Sequence, residues 1–171
     1  MNVAAVADAS KIRIVRAGLE RLDDVEPLWR ALRDHHADIA ATLVPVRSAE
    51  ESWRRRRAEY TEWLSDSSAT ILFAEEDAPV GYLMLHMMPG PPSWAIGDRI
   101  AEVETLSILP AARDHGVGKL LMAAARREAR ERGATTLSVA LLHTNEGARR
   151  FYEREGFHSF YLTMLASIAQ E

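Results

Sequence analysis

Between Arg113 and Lys119 the chain reads R-D-H-G-V-G-K, with glycines at 116 and 118 set between a predicted strand and a long amphipathic helix. Such an arrangement holds phosphate. Glycine lets the main chain turn tightly and approach a ligand, while the first N–H groups of the helix and its positive dipole end point at an anion. Two familiar glycine loops are excluded by the letters. A Walker loop requires glycine where Arg113 stands and Ser or Thr where Leu120 stands, and a dinucleotide fingerprint requires a third glycine at Leu121. On the strand before the loop, Glu102 and Glu104 stand two residues apart, and period-2 alternation predicts that both share a face with Leu106 and Ile108. Two carboxylates on an otherwise apolar strand are unusual, and as plain structure one of them would pair with an arginine or lie at a solvated rim.

R-x-x-G-x-G after a strand, followed by Asn145-Glu146-Gly147-Ala148-Arg149-Arg150-Phe151-Tyr152-Glu153-Arg154-Glu155-Gly156-Phe157, resembles the GNAT superfamily of N-acetyltransferases over roughly Ile71 to Met164. The resemblance implies acetyl-CoA as co-substrate. Transfer to an amine needs a base, because an alkyl amine has an unperturbed pKa near ~10 and only its neutral form attacks. It also needs a donor at the oxyanion and an acid for the departing thiolate. By resemblance, Glu104 or Glu102 is the base and Tyr152 the acid. The Ile108 N–H meets the acetyl carbonyl, Leu106, Ser107 and Ile108 pair with pantetheine as an added strand would, and Asn145 bonds the pantetheine arm or a bridging water. Arg113, Asp114, His115, Gly116, Val117, Gly118 and Lys119 hold the pyrophosphate. As plain structure, Tyr152 would be core with its hydroxyl on a carbonyl, and Asn145 a helix cap. Asp114 departs from the family's preference for glycine or a basic residue; an acid there costs affinity unless it turns to solvent.

Elements must place these groups. Lys11–Arg16 reads as a first strand and Leu19–Leu32 as helix, with Pro27 either kinking it or setting its start near Asp23 or Asp24; His35-His36 is expected to end it. Ser48 and Glu51 form a capping-box signal for a second helix carrying Trp53, Tyr60 and Trp63. Ala69–Glu75 and Val80–Met88 read as a strand pair turning at Asp77-Ala78-Pro79, Ala101–Leu109 as the strand ended by Pro110, Gly116 to Gly133 as helix, and Thr135–Leu142 as strand. The helix face is Val117, Leu120, Leu121 and Ala124. A short helix from Asn145 leads to a last strand, Phe157–Leu165, whose apolar edge would serve dimerisation as in several family members. The strand, helix, strand order in the second half implies parallel pairing. The expected class is mixed α/β (α+β): one domain over 11–171, a twisted sheet of six to seven strands with helices on both faces, and a disordered tail at 1–10.

At 171 residues, 47% hydrophobic and 27% charged, the chain suits one soluble domain. It has no cysteine, which excludes disulfides, thiolate metal sites and a cysteinyl acyl-enzyme and makes a cytoplasmic protein the default. A net charge of −4 gives no footprint for nucleic acid, and no apolar run is long enough to span a membrane. No metal is expected, since His35-His36 lacks partners at ligand spacing. Arg54-Arg55-Arg56-Arg57 spreads around a helix among glutamates and reads as a solvated face, the alternative being guidance of an acidic acceptor. Met84, Met87 and Met88 are core, or with Trp94 line an apolar pocket, and Pro89–Gly97 is a candidate acceptor loop. The expected activity is acetyl transfer to a primary amine by direct attack in a ternary complex. A small-molecule acceptor is favoured over a protein amine, and a non-catalytic acyl-CoA sensor is the rival reading.

Overall fold

The computed structural model describes residues 11–40, 44–166 and 168, so the expected tail at 1–10 lies outside the described residues. Strands β1 (Arg13–Ala17), β2 (Ala69–Glu75), β3 (Pro79–Pro89), β4 (Arg99–Ile108) and β5 (Thr136–Val139) form one sheet in that order. The first four pair antiparallel and β5 pairs parallel to β4. Helices α1 (Val25–Ala40) and α2 (Ala49–Ser65) cover one face, while α3 (Val117–Glu131) and α4 (Glu146–Arg154) cover the other. α3 is the crossover between the parallel strands.

Alternation along β3 builds both cores at once. Tyr82 and Met84 pack under α1 and α2, whereas Leu83, Leu85 and Met87 pack under α3 with Leu121, Met122 and Ala125. Met84 and Met87 are therefore core, on opposite faces. Trp29 of α1 and Trp53 of α2 meet at 5.4 Å between ring centroids, an aromatic contact contributing about 0.5–1.5 kcal/mol beyond the area it buries. Glu128 is buried on the α3 side, where it accepts from Arg16 Nε at 3.1 Å and from Thr70 Oγ1 at 3.0 Å. That contact ties α3 to β1 and β2.

Several expectations are corrected. The described residues form five strands rather than six or seven, because Phe157–Leu165 makes no ladder. Its residues suit a strand, but a strand exists only where a partner supplies hydrogen bonds. α1 runs past His35-His36 to Ala40. It starts at Val25 after a 3-10 turn (Leu19–Asp24), so Pro27 sits in the first turn, where its missing N–H costs nothing. Leu120 is 36% exposed and lies outside the buried face of α3, whose members include Val117, Leu121, Met122, Ala124 and Ala125. Among the described residues no helix is long and apolar enough to cross a membrane, and no group of His, Cys, Asp and Glu is placed to hold a metal ion.

Candidate active site

The turn before α3 forms as its glycines require. Gly116 is the N-cap of α3 with φ +80°, a left-handed conformation that an L side chain enters at a cost, and a Cβ built there would meet nothing within 4 Å. The space ahead of the helix is open. Hydrogen bonding within α3 starts with Leu120 N–H on the Gly116 carbonyl, so the N–H groups of Val117, Gly118 and Lys119 are left for an anion. Gly118 serves packing instead. A Cβ there would meet the Phe151 ring at 3.1 Å and Ile108 Cδ1 at 3.4 Å, so its lack of a side chain lets α3 start close against α4 and β4. Arg113, His115 and Lys119 are exposed and, among the described residues, have no carboxylate partner. Arg113 donates Nε to the Ile108 carbonyl at 3.0 Å, which ties the loop to the strand. Asp114 is exposed and takes φ +64°, a conformation aspartate tolerates, and its exposure keeps its charge in water.

β4 itself has a free edge beside this loop. β5 pairs only with Ile100 to Val103. Beyond that point Leu109 N–H donates to Val80 carbonyl at 2.9 Å, so by the alternation of main-chain groups the Leu106 and Ile108 N–H groups point away from β3 into the gap where β5 has ended. An extended ligand can hydrogen-bond there as a strand would. Ser107 takes no part through its side chain, because its hydroxyl donates to the Leu28 carbonyl at 2.7 Å inside the α1 core.

The carboxylates stand on the other side of a bulge. Met84 pairs with Thr105 but Leu85 pairs with Val103, leaving Glu104 without a partner. The extra residue shifts the alternation by one. Ala101 and Val103 therefore face α3, as do Leu106 and Ile108, while Glu102, Glu104, Thr105 and Ser107 face α1 and α2. The expectation that both glutamates share a face with Leu106 and Ile108 is thus corrected: uniform alternation assumed a regular strand. The arginine run is a solvated face at Arg54, Arg55 and Arg57, all exposed, and departs from that reading only at Arg56. Arg56 forms an ion pair with Glu104 and a second with Glu59 at 3.2 Å, Arg57 reaches Asp23 at 2.9 Å and Arg55 reaches Glu51 at 2.9 Å. The sequence does carry a signal for Arg56, which falls at helical spacing on the stripe formed by Trp53, Tyr60 and Trp63.

Glu102 lies between His86 of β3 and Ser138 of β5 in the sheet register. His86 stacks on Trp63 of α2 at 4.2 Å, and the Ser138 hydroxyl is buried without a hydrogen-bond partner. Burial raises the Glu102 carboxyl above its ordinary value, with the Glu104 charge adding to it and Arg56 opposing. Burial also lowers His86, against the pull of Glu104 and Asp66, and keeps it neutral near pH 7. Below, Tyr60 hydroxyl lies 2.6 Å from Thr105 Oγ1 and is pushed up to about 12 by burial. His86, Trp63 and Ser138 were not singled out as site residues from sequence, since nothing in their local context marks them.

Tyr152 is buried, edge-on to Phe151 and Phe157, and its hydroxyl has no hydrogen-bond partner among the described residues. Burial alone raises its pKa, so it is a neutral donor. Asn145 caps α4, its Oδ1 accepting from Ala148 N–H at 3.0 Å. In the candidate acceptor loop, Trp94 is 51% exposed and packs edge-on against Phe160.

Comparison with known proteins agrees with this geometry. The family model described as acetyltransferase (GNAT) family matches residues 29–157. The chain is 28% identical over 145 residues to the aminoalkylphosphonate N-acetyltransferase of Salmonella typhimurium, covering 81% of this chain and 91% of that protein. It is 26% identical over 132 residues to the mycothiol acetyltransferase of Rhodococcus erythropolis, covering 71% of this chain but only 44% of that longer protein. In fold it is similar to a GCN5-related N-acetyltransferase from Ralstonia eutropha, with a TM-score of 0.74 at 21% identity over 92% of this chain and 99% of the other. It is also similar to the aminoglycoside N-acetyltransferase AAC(6')-Iy in complex with CoA, with a TM-score of 0.68 at 18% identity over 91% and 93%. With a phosphate-type loop on α3, a free edge on β4 and a family match spanning both, the chain belongs to the GNAT acetyltransferase family.

Proposed function

We propose that this protein transfers acetyl from acetyl-CoA to a primary amine by direct attack in a ternary complex. The observation that carries the reading is the free edge of β4 ending at the open N-terminus of α3: amide-pairing groups lead directly to an anion cradle. This fits a ligand with an amide-bearing arm and a pyrophosphate. When bound, acetyl-CoA supplies the activated acetyl group. The chain does the rest: the Ile108 N–H donates to negative charge developing on the acetyl oxygen, a carboxylate of the Glu102 and Glu104 pair takes the amine's proton, and Tyr152 donates to the leaving sulfur. Leu106 and Ser107 serve through their main chain, and Arg113 to Lys119 hold the pyrophosphate. Asn145 serves by starting α4, which carries Tyr152.

A small-molecule acceptor is favoured by relatives named for small molecules, aminoalkylphosphonate and mycothiol. We further propose a homodimer, in which a second copy covers the segment from Phe160 (56% exposed) through Leu162 (80%) to Leu165 (80%). Calorimetric titration of acetyl-CoA, followed by a thiol-release screen of small amines, tests the enzymatic reading. Saturable binding and amine-dependent thiol release are expected. Binding with no release from any amine would point to an acyl-CoA sensor, and no binding would refute both.

A further inference from the structure

We propose that Arg56 is a positioning residue that ties up Glu104 and leaves Glu102 as the carboxylate that accepts the amine's proton. The inference rests on the acetyltransferase reading and deepens it. Both glutamates suit the role by residue type, and the bulge places both on the α2 face, so what surrounds each one decides between them. Glu104 is engaged by the Arg56 guanidinium, which Glu59 also holds at 3.2 Å. The guanidinium lies 5.4 Å from the Tyr60 ring centroid, and the Tyr60 hydroxyl is fixed on Thr105, the next residue after Glu104. Arg56 is thus braced from below as well as from α2. A carboxylate oxygen already held by a braced guanidinium must give up that contact before it can meet an incoming amine.

Glu102 has no hydrogen-bond or ion-pair partner among the described residues, although it is half-buried. The groups bearing on it are Glu104 on its own strand, Arg56 on α2, which Glu59 holds in turn, and His86 across β3, with Asp66 and Arg132 acting on His86. β5 presents only the uncharged Ser138. A carboxylate that lacks a counter-ion and lies beside a like charge holds a proton more readily, as a base for an ammonium group requires.

The test combines the pH dependence of kcat/KM with carboxyl 13C NMR titration of Glu102, which requires no turnover. Glu102→Gln should lower kcat about 100-fold or more, the range for loss of a general base. Glu104→Gln should cost less than about tenfold. Arg56→Met should move the acid limb and the Glu102 titration to higher pH, because Glu104 then acts on Glu102 uncompensated. Glu104→Gln should move both to lower pH, and the double variant should return them toward wild type. Arg56→Lys should restore part of the shift, since it keeps the charge without the fork. A purely structural Arg56 would change stability and leave the Glu102 titration in place. Loss of activity in Glu104→Gln but not Glu102→Gln would overturn the proposal, as would a Glu102 titration unmoved by Arg56→Met. Failure of the functional reading would look different: the wild type would acetylate no amine, whatever the NMR titrations show.

Discussion

Replacing Gly116 with alanine separates the two things that residue does. Gly116, Gly133 and Gly156 have φ of +80°, +81° and +86°, and a Cβ on any of them meets nothing within 4 Å. The steric term is therefore absent at all three, and the cost of alanine is the left-handed backbone alone, about 1–2 kcal/mol. For a domain of this size that lowers the midpoint of thermal unfolding by about 2–8 °C. The three variants should lose similar stability. Only Gly116 stands at a helix N-terminus; Gly133 and Gly156 follow the C-terminal ends of α3 and α4. In Gly116→Ala any relaxation of φ turns the free N–H groups of α3 aside. Acetyl-CoA affinity should fall about tenfold or more, equivalent to about 1.4 kcal/mol or more. Scanning calorimetry measures the first effect and isothermal titration the second. An equal loss of affinity in Gly133→Ala, or unchanged affinity in Gly116→Ala alongside the expected loss of stability, would refute the assignment of the α3 N-terminus as the anion cradle.

Tyr152→Phe should lower kcat by about 100-fold while leaving the unfolding midpoint nearly unchanged, because the hydroxyl removed has no protein partner among the described residues to lose. Glu128→Ala should cost about 1–3 kcal/mol by urea denaturation, since Thr70 and Arg16 lose a buried acceptor but the Arg16 side chain, 66% exposed, remains hydrated. Glu102→Gln should raise stability at pH 7. The Glu102 pKa is higher folded than unfolded, so its favourable contribution is complete below the unfolded value and is lost as pH rises through the folded one. The advantage of Gln should vanish in unfolding experiments at pH below about 4, where the wild-type carboxyl is protonated in both states. Ser48→Ala should cost about 1 kcal/mol through loss of the cap on Glu51 N–H, and circular dichroism melts suffice to measure it.

The sequence was most informative where a local rule acts alone. Ser48 and Asn145 cap the helices they were expected to start, Ala69–Glu75 pairs as read, and the glycines around α3 stand where its ends require them. It was silent where the outcome depends on a partner. Phe157–Leu165 has strand-forming residues but nothing to pair with among the described residues. Glu104 has nothing in its neighbourhood that signals a bulge: no glycine or proline marks it, and the irregularity shows only when Met84 and Leu85 are set against β4. The role of Arg56 depends on how α2 is rotated against the sheet. Its four-arginine run masks that rotation, although the stripe of Trp53, Tyr60 and Trp63 encodes it.

The bulge at Glu104 divides one strand into two instruments. Beyond it, β4 offers a free edge of main-chain atoms that every residue type possesses, so on the proposed function that edge tolerates substitution at Leu106 and Ile108 within the limits of packing. Before it, β4 works through side chains turned to the opposite face, where each change alters chemistry. Selection on one half then leaves the other undisturbed. On the proposed function, an acceptor preference could then drift by exchange of residues around Glu102 and His86 while the co-substrate edge stays intact. Deleting Glu104 would remove the extra residue and its pair with Arg56, while Glu102 and Thr105 stay on the α2 face and Leu106 and Ile108 on the α3 face; the strand would keep both orientations and lose its second carboxylate.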